Sequence, residues 1–223
     1  MLNLKDLSFG YKKDLIFKDL NFDVNYGDRV GVMGASGIGK STLLRLIMLL
    51  DYPEKGAVIY DNKIIYSHDT QIRQNLINDY RAKIGVVYQE LNLWPHLSVL
   101  ENVTLPLIIK RKIPKDKAEK SGLEIIEKVG LAEYASYMPR ELSVGMKQRC
   151  AIARTLVFSP ELLLMDEITS SLDGLTAIGV LEVIKMIIDD FDLTLVLISH
   201  DIEVINYLCN KKYAIINKKI VKI

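Results

Sequence analysis

The stretch RVGVMGASGIGKSTLLRLIMLL, Arg29 to Leu50, decides the fold. It opens as a short apolar run that ends in glycines and closes as a segment with helical period and helical length. Between the two lies Gly34-Ala35-Ser36-Gly37-Ile38-Gly39-Lys40-Ser41-Thr42, which fits G-x-x-x-x-G-K-[ST] at every fixed position. The glycines let the backbone curl until successive N–H groups converge on an anion, and the helix N-terminus adds its partial positive charge. In that frame Lys40 reaches the β- and γ-phosphates of a nucleotide, and the Ser41 hydroxyl is the natural Mg²⁺ ligand.

Downstream, ELLLMDE and LTLVLISH are apolar runs too continuous for one-sided strands, and they read as parallel strands buried on both faces. Asp166 ends the first and is placed to hold Mg²⁺ opposite Ser41. Glu167, where the chain turns, is placed to orient or deprotonate an attacking water. His200 ends the second run. Ligands of parallel sheets sit outside the carboxyl ends of the strands, so His200 is expected on one rim with Lys40 and Glu167, in reach of a γ-phosphate. His68 and His96 have no such support and read as surface residues.

LTAIGVLEVIKMIIDDF, between those strands, predicts a helix of about four turns. Upstream, LNLKDLSFGY and LIFKDLNFDV alternate as half-exposed strands, and GAVIYDNKIIY reads as a hairpin around Asp61-Asn62. From about Leu91 to Ser159 the pattern is mostly helical, punctuated by Pro95, Pro106, Pro114 and Pro139. Alternating strands and helices define an α/β parallel-sheet domain interrupted by a helical insertion.

The 223 residues are enough for one large domain with an inserted lobe, and 49% hydrophobic content argues against disorder. A net charge of +1 gives no global pull toward nucleic acid or acidic lipid. KRKIPKDK, Lys110 to Lys117, is a solvated loop and helix start. The apolar run LLRLIML is interrupted by Arg45, no run reaches spanning length, and the N-terminus has no cleavable-signal pattern, so a cytosolic chain is expected. Cys150 and Cys209 match no metal or redox spacing and read as buried thiols.

One more segment holds an anion-binding pattern. In ELSVGMKQRCAIARTL, Leu142-Ser143-Val144-Gly145-Met146 places a hydroxyl and a glycine just before a helix, with no acid, base or metal ligand among them.

With these pieces in order the chain resembles the ATP-binding subunit of ABC transporters over essentially its whole length. Walker A matches Gly34–Thr42, Walker B Leu162–Glu167, the Q-loop glutamine Gln89, the signature Leu142–Met146, the D-loop Ser170–Asp173 and the switch histidine His200. Tyr11 falls where the family's aromatic stacks on adenine. The resemblance implies an α/β P-loop ATPase with a mixed central sheet and an antiparallel β region. It further implies a RecA-like core over 1–91 and 159–223 and a helical subdomain over 92–158. ATP and Mg²⁺ are implied, with Gln89 sensing the metal or the attacking water alongside Ser41 and Asp166.

Two copies are implied to pair head to tail, each signature completing the other's ATP site and Asp173 reaching across. The helical lobe would dock on separate transmembrane permease subunits at the cytoplasmic face of the membrane, with an extracytoplasmic solute-binding protein if the system imports. NLWPHLSVLENVTLPL and RLIMLLDYPEKGAVIYDN look like importers of polar amino acids, especially arginine, glutamine and histidine. The alternatives are a lipoprotein-release or efflux ATPase, or a regulatory nucleotide-binding module without hydrolysis. The chain departs from the family pattern at Val144 and Met146, which replace a glycine and a glutamine, and at Ile168, which replaces a proline. If the family's glycine needs positive φ, Val144 would be strained. No regulatory C-terminal domain is expected after AIINKKIVKI.

Overall fold

A computed structural model describes residues 1–12 and 14–223. In chain order the elements are β1 (Leu2–Tyr11), β2 (Asp14–Val24), β3 (Arg29–Met33), α1 (Lys40–Ile47), β4 (Lys55–Tyr60), β5 (Lys63–Ser67), α2 (Gln74–Arg81) and β6 (Ile84–Val87). There follow α3 (Val99–Arg111), α4 (Lys115–Lys128), α5 (Val144–Leu156), β7 (Leu162–Asp166), α6 (Gly174–Phe191), β8 (Thr194–Ile198), α7 (Ile202–Leu208), β9 (Lys211–Ile216) and β10 (Lys219–Lys222).

The chain divides into two compact units. The first comprises Met1–Ile84, Glu161–Asp166 and Leu193–Ile223; the second comprises Gly85–Pro160 and Glu167–Asp192. The segment expected to be core over 159–223 is therefore divided, because Glu167–Asp192 packs with the helices of the second unit.

The first unit carries two sheets. One is antiparallel, ordered β2-β1-β4-β5. Its β4–β5 hairpin turns at Asp61 and Asn62, with φ of 49° and 61°, the left-handed pair that a two-residue turn matched to strand twist requires. The other runs β10-β9-β3-β8-β7 within this unit. Here β9, β3, β8 and β7 are parallel and β10 returns antiparallel on β9, which makes the sheet mixed. All five residues of β8 are buried, as are Leu162 to Met165 of β7. This burial on both faces is why those runs carry no polar alternation.

The second unit packs α3, α4, α5 and α6. Ser98 caps α3 with a reciprocal pair: its hydroxyl accepts from the Glu101 amide, and Glu101 Oε2 accepts from the Ser98 amide at 2.7 Å. Asn102 is fully buried yet satisfied. It accepts from the Trp94 amide and donates to the carbonyls of Trp94, Leu97 and Ser98, which pins the preceding loop. Pro106 lies inside α3 and Pro114 caps α4.

His68 and His96 are exposed. Both cysteines are free and buried, and burial pushes each thiol up to about 12, leaving them inert at neutral pH. No helix among the described residues is long and apolar enough to cross a membrane.

Candidate functional site

The rim of the mixed sheet is where the expected residues of the first unit meet. Ile198 of β8 is level with Val32 of β3 on one side and with Asp166 of β7 on the other. Gly34 and His200 each lie two residues beyond that line, so three parallel strands deliver the phosphate loop, Asp166 and His200 at one height. The Ser199 amide donates to the Val32 carbonyl at 3.3 Å and carries the ladder to the rim. His200 is exposed there, directly after buried Ser199.

The loop from Gly34 to Thr42 has the conformation its glycines permit. Gly37 has φ of 77° and Gly39, the N-cap of α1, has φ of 112°, a region that side chains with a Cβ rarely enter. α1 has no side-chain cap and no acidic residue in its first turn, so nothing on its own helix competes with an anion at its N-terminus. Lys40 is 8% exposed, and its ammonium donates to the carbonyls of Gly34 at 2.9 Å and Ala35 at 3.3 Å, folding the side chain back over the loop. Ala35 and Ser36 are exposed, Ile38 is half-buried and Thr42 is buried.

Ser41 Oγ donates to Asp166 Oδ2 at 3.0 Å. A hydroxyl and a carboxylate this close are hard oxygen donors of the type that Mg²⁺ takes, at the mouth of an anion-binding loop. The residues present fit that ion.

Tyr11 closes β1 and is 46% exposed. Its ring and that of Phe9 pack edge-to-face, with centroids 5.0 Å apart and an interplanar angle of 85°. Its hydroxyl donates to Asp51 Oδ2 at 2.6 Å, and Arg45 grips the same carboxylate through Nε at 2.7 Å and a second nitrogen at 2.8 Å. Arg45 and Asp51 carried no signal in a motif; only proximity reveals them.

In the second unit Gln89 is exposed and Glu167 is half-buried with φ of 47°. The turn after β7 is thus left-handed at a residue with a full side chain, and it is closed by Ser170, whose amide and hydroxyl both donate to the Glu167 carbonyl. Ile168 is buried.

Ser143 is the N-cap of α5. Its hydroxyl accepts from the Met146 amide at 3.3 Å, which uses a lone pair and leaves the proton as the part that can donate to an anion. Leu142 is buried, whereas Val144 is the first residue of α5, has no positive φ and is 49% exposed. The strain that a positive φ would impose is absent, because Val144 takes the negative φ of a helical first turn.

Gly145 is constrained for another reason. A Cβ there would lie 2.5 Å from Thr176 Cγ2 on α6, so glycine is needed for the close approach of two helices. Asp173 caps α6, accepting from the Thr176 amide at 3.0 Å and the Thr176 hydroxyl at 2.7 Å. The hydrogen bond donated by the Thr176 backbone amide holds the Asp173 carboxyl below the usual range. Thr176, which no motif marks, therefore joins the D-loop acid to the signature helix.

These contacts separate two neighbouring substitutions. Gly145→Ala should destabilise the chain by about 1–3 kcal/mol through overpacking against Thr176. Val144→Gly should stay within about 1 kcal/mol of wild type, the helix-propensity difference at an exposed first turn. Urea unfolding followed by circular dichroism measures both.

Comparison with known proteins agrees with this geometry. The pattern of the family described as ABC transporter matches residues 17–170. "Methionine import ATP-binding protein MetN 1" of Staphylococcus aureus (strain bovine RF122 / ET3-1) is 41% identical over 207 residues, which are 92% of this chain and 59% of that protein. The chain thus spans about three-fifths of the length of that curated relative. Among solved structures, the dimeric post-hydrolysis state of the ATP-binding cassette MJ0796 bound to ADP and Pi superposes with a TM-score of 0.82 at 32% identity, covering 100% of this chain and 98% of that one. CbiO1 from Clostridium perfringens, part of the ABC transporter complex cbiONQ, gives 0.89 at 25% identity, covering 99% and 86%. A phosphate loop, a carboxylate at the end of a parallel strand of the same sheet and a capped helix carrying the signature, together with a family match over residues 17–170, establish that the chain belongs to the ABC transporter family.

Proposed function

We propose that this chain binds and hydrolyses ATP to power a membrane transporter, and that the transported solute is methionine. The observation that carries the ATPase reading is the 3.0 Å contact of Ser41 with Asp166 beside Lys40, at the level carboxyl ends of three parallel strands. The N–H groups of Gly34–Thr42 wrap the phosphates, and the Lys40 ammonium exchanges its loop carbonyls for β- and γ-phosphate oxygens. Ser41 and Asp166 would hold Mg²⁺, with Gln89 as a further ligand or sensor. Bound there, the ion would neutralise negative charge on the phosphates.

In the hydrolytic step Glu167 accepts a proton from water as the water oxygen bonds to the γ-phosphorus. The bond from that phosphorus to the β,γ-bridging oxygen breaks, and ADP leaves with the bond's electron pair. His200 donates to the γ-phosphate. Tyr11 stacks on adenine. A second copy supplies Leu142–Met146, whose Ser143 hydroxyl and first-turn amides meet the γ-phosphate from the other side, while Asp173 approaches the partner's site. Two features support the paired arrangement: the MJ0796 cassette is dimeric with ADP and Pi, and α5 presents Ser143 and Val144 to solvent. The helical lobe, expected over 92–158, docks on separate permease subunits at the cytoplasmic face of the membrane, and an extracytoplasmic protein delivers the solute.

The relative's name moves the solute from arginine, glutamine or histidine to methionine. In cells whose own copy is disrupted, the wild-type chain should restore uptake of radiolabelled methionine and Lys40→Ala should not. Restored uptake of arginine, glutamine or histidine instead would overturn the methionine assignment. No restored uptake of any of them would favour lipoprotein release, efflux or a regulatory module.

A further inference from the structure

The end of β1 and the end of α1 are joined by a contact that no nucleotide-binding motif includes. Arg45 lies in the last turn of α1, and Leu49, with φ of 54°, turns the chain back so that the amides of Leu50 and Asp51 donate to the Arg45 carbonyl. That turn places the Asp51 carboxylate against its own helix end. Arg45 takes it with two parallel N–H donors at 2.7 and 2.8 Å, and one of the same oxygens accepts from Tyr11 at 2.6 Å. Phe9 abuts the Tyr11 ring edge-to-face, yet Tyr11 remains 46% exposed.

We infer that Asp51, itself held by Arg45, is a positioning residue that fixes the exposed Tyr11 ring relative to the phosphate loop, so that the ring is pre-set to receive a purine base. The inference rests on the reading of Tyr11 as the base-stacking residue.

The two ends of α1 give this its geometric sense. α1 has eight residues and is about 12 Å long at 1.5 Å per residue. Its N-terminus receives phosphate, and its C-terminal turn carries the tether of the aromatic ring. Base and phosphates of one nucleotide are thereby referred to one rigid rod. A free surface tyrosine must give up rotamer freedom on stacking, whereas one restrained by its hydroxyl has already done so.

The charges are set to keep the tether made. Arg45 holds the Asp51 carboxyl below its ordinary range, so it stays an anionic acceptor. The bond to Asp51 pushes the Tyr11 phenol up, so it stays a donor.

The test is a double-mutant cycle on Tyr11→Phe and Asp51→Asn in the full chain, with Tyr11→Ala beside it. Dissociation constants are measured for Mg-ATP and for Mg-tripolyphosphate, which has no base. Tyr11→Phe keeps the ring and the Arg45–Asp51 pair and removes only the hydroxyl. Each single variant should weaken ATP by about three- to tenfold, the range expected for one side chain losing its pre-set rotamer. The double variant should lose no more than the worse single one, and tripolyphosphate affinity should not change.

Unchanged ATP affinity in Tyr11→Phe and Asp51→Asn, with a loss in Tyr11→Ala, would overturn the tether and leave the stacking reading intact. Equal losses for ATP and tripolyphosphate would also overturn it, because Asp51 would then act only by holding the end of α1. No loss in Tyr11→Ala would overturn the stacking reading and the tether together.

Discussion

Glu167→Gln is expected to lower ATP turnover by about 10²–10⁴-fold, the usual contribution of a positioned general base, while leaving ATP affinity near wild type. The two side chains are isosteric, and both can accept a hydrogen bond from water. Only the carboxylate can keep the proton. The backbone strengthens the comparison, because Glu167 already sits at φ of 47° and glutamine meets the same left-handed penalty. Any loss therefore belongs to chemistry and not to a shifted turn.

Glu167→Gly is the companion variant. It relieves roughly 1–2 kcal/mol of left-handed strain, so it should raise or preserve the melting temperature while turnover still falls. With ATP bound and unhydrolysed, the glutamine variant should accumulate as a dimer in sedimentation velocity. Wild-type phosphate release by Glu167→Gln would remove Glu167 from the base position.

Lys40→Ala is expected to weaken ATP by about 2–4 kcal/mol, or roughly 30- to 1,000-fold, the cost of truncating a largely buried charged donor. Lys40 is only 8% exposed and its ammonium lies between two loop carbonyls, so a phosphate meets it with little solvent screening. Calorimetric titration of Mg-ATP into the variant measures the loss. A change of less than threefold would show that Lys40 serves the loop's own conformation and not the ligand.

The parts legible from sequence were those where one residue type answers one physical demand. Positive φ at Gly37 and Gly39, left-handed turn residues at Asp61 and Asn62, and unbroken apolar runs for doubly buried β7 and β8 all leave such marks. α2 leaves no such mark, since in eight residues it buries only Ile77 and Tyr80. β9 and β10 were hidden by lysines at the sheet margin, where burial is partial. The helix expected over Leu175–Phe191 begins one residue earlier, at Gly174, because Asp173 caps its first turn.

Gly145 lies against Thr176 on another helix, and Val144 has no positive φ, neither of which a linear string can show. The Tyr11–Asp51–Arg45 cluster joins residues 40 positions apart and was invisible for the same reason.

The central claim, that this chain is an ATPase completed by a second copy of itself, is most directly tested by phosphate release from Mg-ATP as a function of protein concentration. The specific rate should rise with concentration and then saturate, because each site needs the Ser143 turn of a partner, and Lys40→Ala should abolish it throughout. A rate per chain independent of concentration down to nanomolar protein, with only monomers present, would contradict the shared site; no release above the Lys40→Ala level at any concentration would contradict the ATPase.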